Sequence, residues 1–286
     1  MDPLLVGIDF GTTNSSVALL DPFANKVHMK PLDEGETPYL LRTILSKSFE
    51  GEWIIGNQAA ALGELRERSV MSLKTELRRN PDFRLTVDGV QLSLTRCISF
   101  FLRELLRRAG IDRPEQIDRL ALSVPVNFNE RRKSVLEQAA VGIGVDPTKI
   151  WFLDEPVSVL WDCRIIPAKY ALVFDFGGGT LDMAIMDKEE SEKHRQAIVH
   201  HPYFDPEENE SNRYHGKVVA KFGLDLGGDD LDDCLVKLFI ERGKAQNNPV
   251  CDSIALELFE DPERLQKLKS HPRFTFYYQL KTIAEQ

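Results

Sequence analysis

The sequence predicts an α/β protein built from two related lobes, and three observations lead to this fold class. Strand-like apolar runs alternate with helix-like segments between residues 118 and 163, which is typical of an α/β layer with partly parallel strands. An apolar run ends in the glycine turn Gly177–Gly179, and a near copy of that stretch begins at Gly7. Because more than a hundred and fifty residues separate the two copies, we expect one copy in each lobe, facing a shared ligand.

The composition is that of an ordinary globular protein and excludes several functional classes. The 286 residues are 42% hydrophobic and 28% charged, which is enough for a large core and one or two domains. A formal net charge of −9 argues against a general binder of nucleic acid or anionic membranes, because both favour a basic face. No apolar run approaches the ~18 residues that span a bilayer, and no leader follows Met1, so we expect a cytoplasmic protein. The four cysteines form no CxxC pair, which predicts neither a disulfide framework nor a cysteine zinc site.

The first lobe is predicted to open with three antiparallel strands and to carry an insert. Residues 4–9, 17–20 and 27–30 read as the strands, and residues 37–111 as a small insert subdomain of short mixed elements. The clearest helix of the insert covers residues 94–108, between Ser93 as N-cap and Gly110. The pattern then returns to strands over 118–124 and 150–153 and helices over 130–141 and 155–163. We therefore assign the core of the first lobe to residues 1–36 and 112–165.

The second lobe is expected to begin at residue 166. Residues 170–174 and 183–186 read as strands on either side of the glycine turn, and a third strand over 217–222 precedes the turn Gly227-Gly228. That turn opens a helix over 229–242, whose first-turn acids suit the helix dipole. Residues 166–226 are assigned to the first part of the second core, and 227–286 to the start of its insert, with a polar loop over 188–214 and an unfinished helix over 277–286.

The two glycine turns contain the residue types that bind phosphate and a divalent cation. Asp9 and Asp175 occupy equivalent places at the strand ends, and carboxylates of this kind hold the waters of Mg²⁺. Glycine allows a positive φ and leaves the backbone amides open to an anion. Either turn alone reads as an ordinary hairpin, but the pair indicates a nucleotide site. The candidate phosphate ligands are Gly11, Thr12, Thr13 and Asn14 in one turn and Gly177, Gly178, Gly179 and Thr180 in the other.

Six motifs, in the right order, resemble the nucleotide-binding domain of the DnaK-type, seventy-kilodalton heat-shock chaperones, members of the actin and sugar-kinase ATPase superfamily. Residues 7–15 are similar to the family's first phosphate loop and residues 175–182 to its second. The other four matches are Thr37-Pro38 and residues 122–129, 153–156 and 226–232. The resemblance implies an actin-like ATPase fold with two ribonuclease-H-like lobes, of which we expect the second to be incomplete.

The resemblance also implies a role for each site residue. Lys74 falls where the family positions the attacking water, although by itself it reads as a solvated surface lysine. Glu155 matches a carboxylate near the metal's water shell, and Thr180 matches a hydroxyl by the γ-phosphate. Lys74, Glu155, Asp175 and Thr180 are thus expected to be catalytic, and Asp9, Asp175 and Asp182 to hold Mg²⁺ mostly through water. The nucleotide ligands implied are Gly11, Thr12, Thr13, Asn14, Gly177, Gly178, Gly179, Thr180, Gly227, Gly228 and Glu285.

Several positions depart from the family pattern. Asp154 and Val157 replace an asparagine and a threonine, and Val126-Asn127 replaces Ala-Tyr beside the hinge proline Pro125. The family's adenosine loop, interdomain linker and peptide-binding domain have no counterpart in this sequence. We therefore expect a C-terminally truncated nucleotide-binding domain.

These departures leave two functions open. One is an ATP-binding, ATP-hydrolysing domain of a DnaK-like chaperone that uses ATP or ADP, Mg²⁺ and, by resemblance, K⁺. Its expected partners are a J-domain co-chaperone and a nucleotide exchange factor, with no nucleic acid and no membrane. The alternative is a DnaK-derived pseudo-ATPase or interaction module that binds nucleotide weakly or not at all. A third reading, an actin-like filament former or sugar kinase, is disfavoured because no sugar pocket with an aspartate base can be located.

Overall fold

The computed structural model describes residues 3–24, 26–34, 36–61, 68–162, 168–187 and 217–245. Their strands, numbered along the chain, are β1 (Leu4–Phe10), β2 (Asn14–Asp21), β3 (Lys26–Met29), β4 (Leu41–Arg42), β5 (Leu45–Lys47), β6 (Trp53–Ile55), β7 (Ser69–Val70), β8 (Arg84–Val87), β9 (Val90–Ser93), β10 (Ile117–Val124), β11 (Ile150–Asp154), β12 (Tyr170–Phe176), β13 (Leu181–Asp187) and β14 (Lys217–Leu224). Their α-helices are α1 (Gly56–Ala61), α2 (Leu73–Arg79), α3 (Leu94–Arg108), α4 (Glu130–Val141), α5 (Glu155–Asp162) and α6 (Gly228–Ala245).

A six-stranded sheet organises the first lobe. Its order is β11-β10-β1-β2-β3, and β4 pairs with β2. Strand β1 runs antiparallel to β2 and parallel to β10, and β10 runs parallel to β11. The crossover between these parallel strands contains α4, as parallel pairing requires. The three antiparallel opening strands and the α/β alternation are therefore confirmed.

Helix α3 builds the core of this lobe against the sheet. Ser93 caps its first turn by accepting a hydrogen bond from the Arg96 amide, and Gly110, with φ of 84°, follows its last residues. Phe101 meets Phe10 of β1 edge to face, with ring centroids 5.8 Å apart. The helix side that faces the sheet is almost fully buried at Leu94, Ile98, Phe101, Leu102 and Leu105.

The segment between β4 and α3 forms smaller units that join the same core. Strands β6-β5-β7 form one sheet and β8-β9 another. Strand β5 covers Leu45–Lys47 and pairs with both β6 and β7. Helix α2 was not expected; Ser72 caps it by accepting from the Thr75 amide, and the Ser72 hydroxyl donates to the Thr12 carbonyl at 3.0 Å. The cap therefore ties this helix to the turn after β1.

A second, antiparallel sheet has the order β12-β13-β14. Its described core is small and consists of Val173, Ala184 and Met186 around Val157 of α5. Helix α6 follows β14 after the turn at Gly227. The polar loop expected over 188–214 and the helix expected over 277–286 lie outside the described residues.

Two further findings concern the described residues alone. None of their helices is both long enough and apolar enough to cross a membrane. Cys97 is buried and Cys234 is exposed, and both are free thiols.

Candidate functional site

The two glycine turns touch each other between the sheets. The first joins β1 to β2 and the second joins β12 to β13. A Cβ atom built on Gly178 would lie 2.4 Å from the hydroxyl oxygen of Thr13, and one on Gly179 would lie 2.6 Å from that of Thr12. Real Cβ atoms do not approach other atoms this closely, so a larger residue at either position would require the threonine side chain to move.

The glycines serve close approach rather than a left-handed backbone. Glycine allows a positive φ, but neither Gly11 nor any of Gly177–Gly179 has one. These positions use the missing side chain instead. A Cβ on Gly11, for example, would lie 2.1 Å from the carbonyl oxygen of Asn14.

The start of α6 closes one side of the second turn. The amides of Gly228 and Asp229 donate to the carbonyls of Gly177 and Gly178, at 3.0 and 2.8 Å. These bonds satisfy two of the amides that a helix N-terminus leaves free. By contrast, the amides of Gly178 and Gly179 have no acceptor within the described part of the chain. They are therefore the donors of this turn that still lack an acceptor among the residues described, and Gly179 itself is buried.

Three carboxylates lie around the turns. Asp175 and Asp182 are opposite each other on β12 and β13, and Asp9 accepts a hydrogen bond of 2.6 Å from the Ser123 hydroxyl. Asp182 is 1% exposed; its Oδ1 accepts from the Val126 amide at 2.8 Å, and its Oδ2 has no partner among the described residues. An orphaned buried carboxylate oxygen fits a site that takes up a cation.

Burial raises the pKa of two of these carboxyls, Asp175 and Asp182. Burial is the main cause for Asp175, and the charges of Asp182 and Asp9 add to it. Burial also raises the pKa of Asp182, although hydrogen bonds from Thr180 and the Val126 amide oppose the shift. Negative charge that is incompletely compensated in this way would be stabilised by a divalent cation.

The carboxylates beside the turns can be compared with the ligands that a metal requires. Among the described residues, no group of three or more His, Cys, Asp or Glu side chains is arranged to ligate a metal. Mg²⁺ usually keeps several waters and uses few carboxylates. Asp9, Asp175 and Asp182 are suited to that outer role.

Lys74 and Glu155 form a buried ion pair at the same place. Their side chains are 5% and 13% exposed, so Lys74 is not the solvated surface residue that its local sequence indicates. Helix α2 directs Lys74 inward, and α5 begins with Glu155. Burial raises the pKa of Glu155 to about 7, against the opposing charge and hydrogen bond of Lys74. The pair therefore holds the lysine ammonium in place beside the three aspartate carboxylates.

Sequence reasoning missed Arg78, which follows Lys74 by one helical turn. Arg78 is 6% exposed, and its Nη1 donates to the carbonyl of Gly179. The spacing of four residues places both cations on one helix face, and that spacing was the available signal. It was not used because α2 itself was not predicted.

Positions that depart from the family pattern lie where the two sheets meet. The Val126 amide binds Asp182, and the Asn127 side chain donates to Asp225 at 2.7 Å. Asp154 accepts a 2.6 Å hydrogen bond from Lys221 of β14. Val157 is fully buried in the core of the second sheet. The side chains of Asn127 and Asp154 thus form contacts between the lobes, whereas the contact at Val126 is made by the backbone.

The structure brings together most of the expected site residues. Thr180 is 5% exposed at the end of the second turn, and Asn14 begins β2 beside Arg42. Glu285 lies outside the described residues. A separate cleft of about 320 Å³, lined by Phe83, Arg131 and others, shares no residue with the turns.

Two sheets with facing glycine turns, connected in sequence through α5, form an actin-like ATPase fold. No protein-family model matches the chain. Curated relatives do: the chaperone protein DnaK of Thermotoga petrophila is 26% identical over an alignment of 272 residues that covers 93% of this chain and 39% of that protein.

Two further DnaK proteins match over the same share of each chain. That of Thermosipho melanesiensis is 27% identical and that of Thermosipho africanus 26% identical. The chain therefore matches a DnaK-type ATPase domain over almost its whole length, and the resemblance seen in the motifs is confirmed. It spans 39% of the length of these curated relatives.

Proposed function

We propose that this chain is the ATP-binding and ATP-hydrolysing domain of a DnaK-like molecular chaperone. The observation that supports this proposal best is the contact between the two glycine turns, with the buried Lys74–Glu155 pair beside them. A hairpin turn without a ligand does not need free amides, orphaned carboxylate oxygens and a buried lysine at one place.

The turn residues would bind the phosphates. On one side, the amides of Gly178 and Gly179, which lack an acceptor among the described residues, would donate hydrogen bonds to the phosphates. On the other side, the hydroxyls of Thr12 and Thr13 would do the same. Backbone amides without an intervening side chain suit an anion. Asp9, Asp175 and Asp182 would hold Mg²⁺ through its waters, and a bound Mg²⁺ would supply charge neutralisation at the phosphates.

Hydrolysis would rest on positioning and electrostatics, without a covalent nucleophile. Lys74 would orient the attacking water by donating to it, and its charge would stabilise the negative charge that develops on the transferring group. Glu155 would keep the ammonium in place. The Thr180 hydroxyl would donate a hydrogen bond to the terminal phosphate.

The alternative, a pseudo-ATPase or interaction module, is supported by one observation. The turns are in contact, and Lys74 already has Glu155 as its partner, so phosphate entry would require the turns to separate. A J-domain co-chaperone, an exchange factor, K⁺ and a cytoplasmic location belong to the chaperone proposal, and each is inferred from the family resemblance.

Mg-ATP calorimetry and single-turnover hydrolysis separate these functions. We expect the wild-type chain to bind Mg-ATP, and Lys74→Ala to lower turnover roughly a hundredfold, the scale of losing one preorganised donor, while affinity changes less. Lys47→Ala is the matched control, because Lys47 also pairs with a carboxylate, that of Asp88, and its other contact is Trp53 rather than a residue of the turns. Weak or absent Mg-ATP binding without turnover in the wild type would favour the alternative, and unchanged turnover in Lys74→Ala would exclude the proposed mechanism.

A further inference from the structure

We propose that Arg78 binds a phosphate group of the nucleotide beside the turn Gly177–Gly179, and so acts as a second cationic ligand in addition to Lys74. This inference rests on the proposed nucleotide site. It concerns a residue for which the motifs assign no role.

The guanidinium of Arg78 is buried but only partly used. A guanidinium carries five N–H donors and stays charged at any ordinary pH. The side chain is 5% exposed, and Nη1 donates to the Gly179 carbonyl. Its Nε and Nη2 atoms have no hydrogen-bond partner among the described residues. Buried donors left in this way are costly, so their presence points to a further acceptor.

Asp230 compensates the charge of Arg78 only weakly. Its Oδ2 is 3.9 Å from Nη1 of Arg78, beyond hydrogen-bond length. The same oxygen accepts from the Gly227 amide at 2.8 Å, and its Oδ1 lies 3.6 Å from Arg79. Because Asp230 is shared among three donor groups, the buried cation keeps unused capacity for an anion.

Helix α2 holds Arg78 at the meeting point of the two turns. At its start, the Ser72 hydroxyl donates to the carbonyl of Thr12 in the first turn. At its end, Arg132 donates to the Arg78 carbonyl at 2.7 Å. The side chain of Arg78 then reaches Gly179 in the second turn, next to the amides of Gly178 and Gly179, which lack an acceptor in the described ranges. Guanidinium donors and backbone amides without hydrogen-bond partners there therefore lie close together.

Phosphate is the anion that suits these donors. A planar guanidinium matches two oxygens of a phosphate, and charge-assisted bonds of this type are about twice as strong as neutral ones. A purely structural Arg78, acting as a latch between α2 and the second turn, would need only Nη1. The two roles make different predictions for a variant that lacks Arg78. Loss of a latch would weaken the binding of all nucleotides alike, whereas loss of a phosphate ligand would weaken most the binding of nucleotides with more phosphates.

The test compares Arg78→Met with Arg79→Met in the full chain. Arg79 is the matched control, since it lies on the same helix and near the same Asp230 but is 49% exposed. Calorimetry would measure affinity for Mg-ATP, for AMP and for tripolyphosphate, which contains no nucleoside. We expect Arg78→Met to weaken Mg-ATP and tripolyphosphate binding roughly ten- to hundredfold, the scale of charge-assisted hydrogen bonds. AMP binding should change little, and the Arg79 variant should bind all three like the wild type.

A second variant keeps the test decisive if Arg78→Met does not fold. Arg78→Lys retains the charge but not the two-pronged geometry, and it should lose several-fold affinity for tripolyphosphate. Wild-type affinity in either folded Arg78 variant, or an equal loss for AMP and ATP, would overturn the inference while the proposed function stands. If the wild-type chain bound neither Mg-ATP nor tripolyphosphate, both would be overturned.

Discussion

The two glycine turns resemble each other in sequence but differ in how the protein supports them. The first turn leaves β1, whose Phe10 is fully buried against α3 in a large continuous core. The second turn leaves β12, whose sheet has a described core of only four residues. The other face of β12 carries Leu172 and Phe174, which are 63% and 62% exposed among the described residues.

This difference indicates that contacts with the first lobe hold the second turn. Asp182 binds the Val126 amide, Arg78 binds the Gly179 carbonyl, and Thr12 lies against Gly179. The first turn is therefore fixed by hydrophobic burial and the second by polar and close-packed contacts with the first lobe. Directional contacts of this kind break and form more readily than a packed core, so we expect the second turn to move when the two turns separate.

The largest effect should come from the core behind the first turn. Phe101 is fully buried against Phe10, whereas Phe174 is 62% exposed. Phe101→Ala should lower the free energy of unfolding by about 3–5 kcal/mol, because it leaves a cavity. The matched change Phe174→Ala should cost less than about 0.5 kcal/mol. Urea unfolding measures both, and a comparable loss in the two variants would show that β12 is covered in solution and that the comparison fails.

Close packing at the second turn should give the next largest effect. A Cβ on Gly227 would lie 2.5 Å from the backbone of Gly178 and Gly179, whereas one on Gly177 would have its nearest neighbour at 3.6 Å. Overpacking of this kind costs about 1–3 kcal/mol, so Gly227→Ala should destabilise the chain and weaken Mg-ATP binding. Gly177→Ala should do neither to the same degree. Thermal melts with and without Mg-ATP test this, and equal behaviour of both variants would contradict it.

The regular elements could be predicted from the sequence, because their signals are local. Helices α3 and α4 lie at the predicted residues, since each has a polar N-cap and a glycine beyond its end. Helix α2 has only seven residues, too few for a periodic pattern, so it was not predicted, and without it the four-residue spacing of Lys74 and Arg78 did not indicate their burial. The use of the glycines also depends on contacts distant in sequence, which local patterns do not contain.

The charged site between the turns should make stability depend on pH. The pKa of Glu155 rises from 4.5 to about 7 on burial, so between these pH values the folded state holds more protons than the unfolded state. The free energy of unfolding should therefore fall as pH rises from about 4.5 to about 7, by on the order of 1–2 kcal/mol. The raised pKa values of Asp175 and Asp182 act in the same direction.

Urea unfolding between pH 5 and pH 7.5 tests this slope. The glutamine side chain in Glu155→Gln cannot ionise, so this variant should show a smaller slope of the free energy of unfolding against pH. Glu104→Gln is the control, because hydrogen bonds from Arg107 lower the pKa of Glu104. The stabilisation that Glu104 contributes is complete above the pKa that this carboxyl has in the unfolded chain, and it is lost only as the solution becomes more acidic. The Glu104→Gln variant should therefore keep the wild-type slope. An unchanged slope in Glu155→Gln would show that Glu155 is not the titrating group.

The smallest effect should come from the ion pair between Lys221 of β14 and Asp154 of β11. Its atoms are 2.6 Å apart, but the lysine side chain is 48% exposed, so the pair should contribute only about 0.2–1 kcal/mol and less at high salt. A double-mutant cycle of Lys221→Gln and Asp154→Asn, followed by urea unfolding at low and high salt, measures the coupling. Asp154 is one of the positions that depart from the family pattern, and this pair joins the two lobes. A coupling above about 2 kcal/mol would show that the lobes are held by charge as well as by the turn contacts, and the second turn would then be less free to move than the comparison implies.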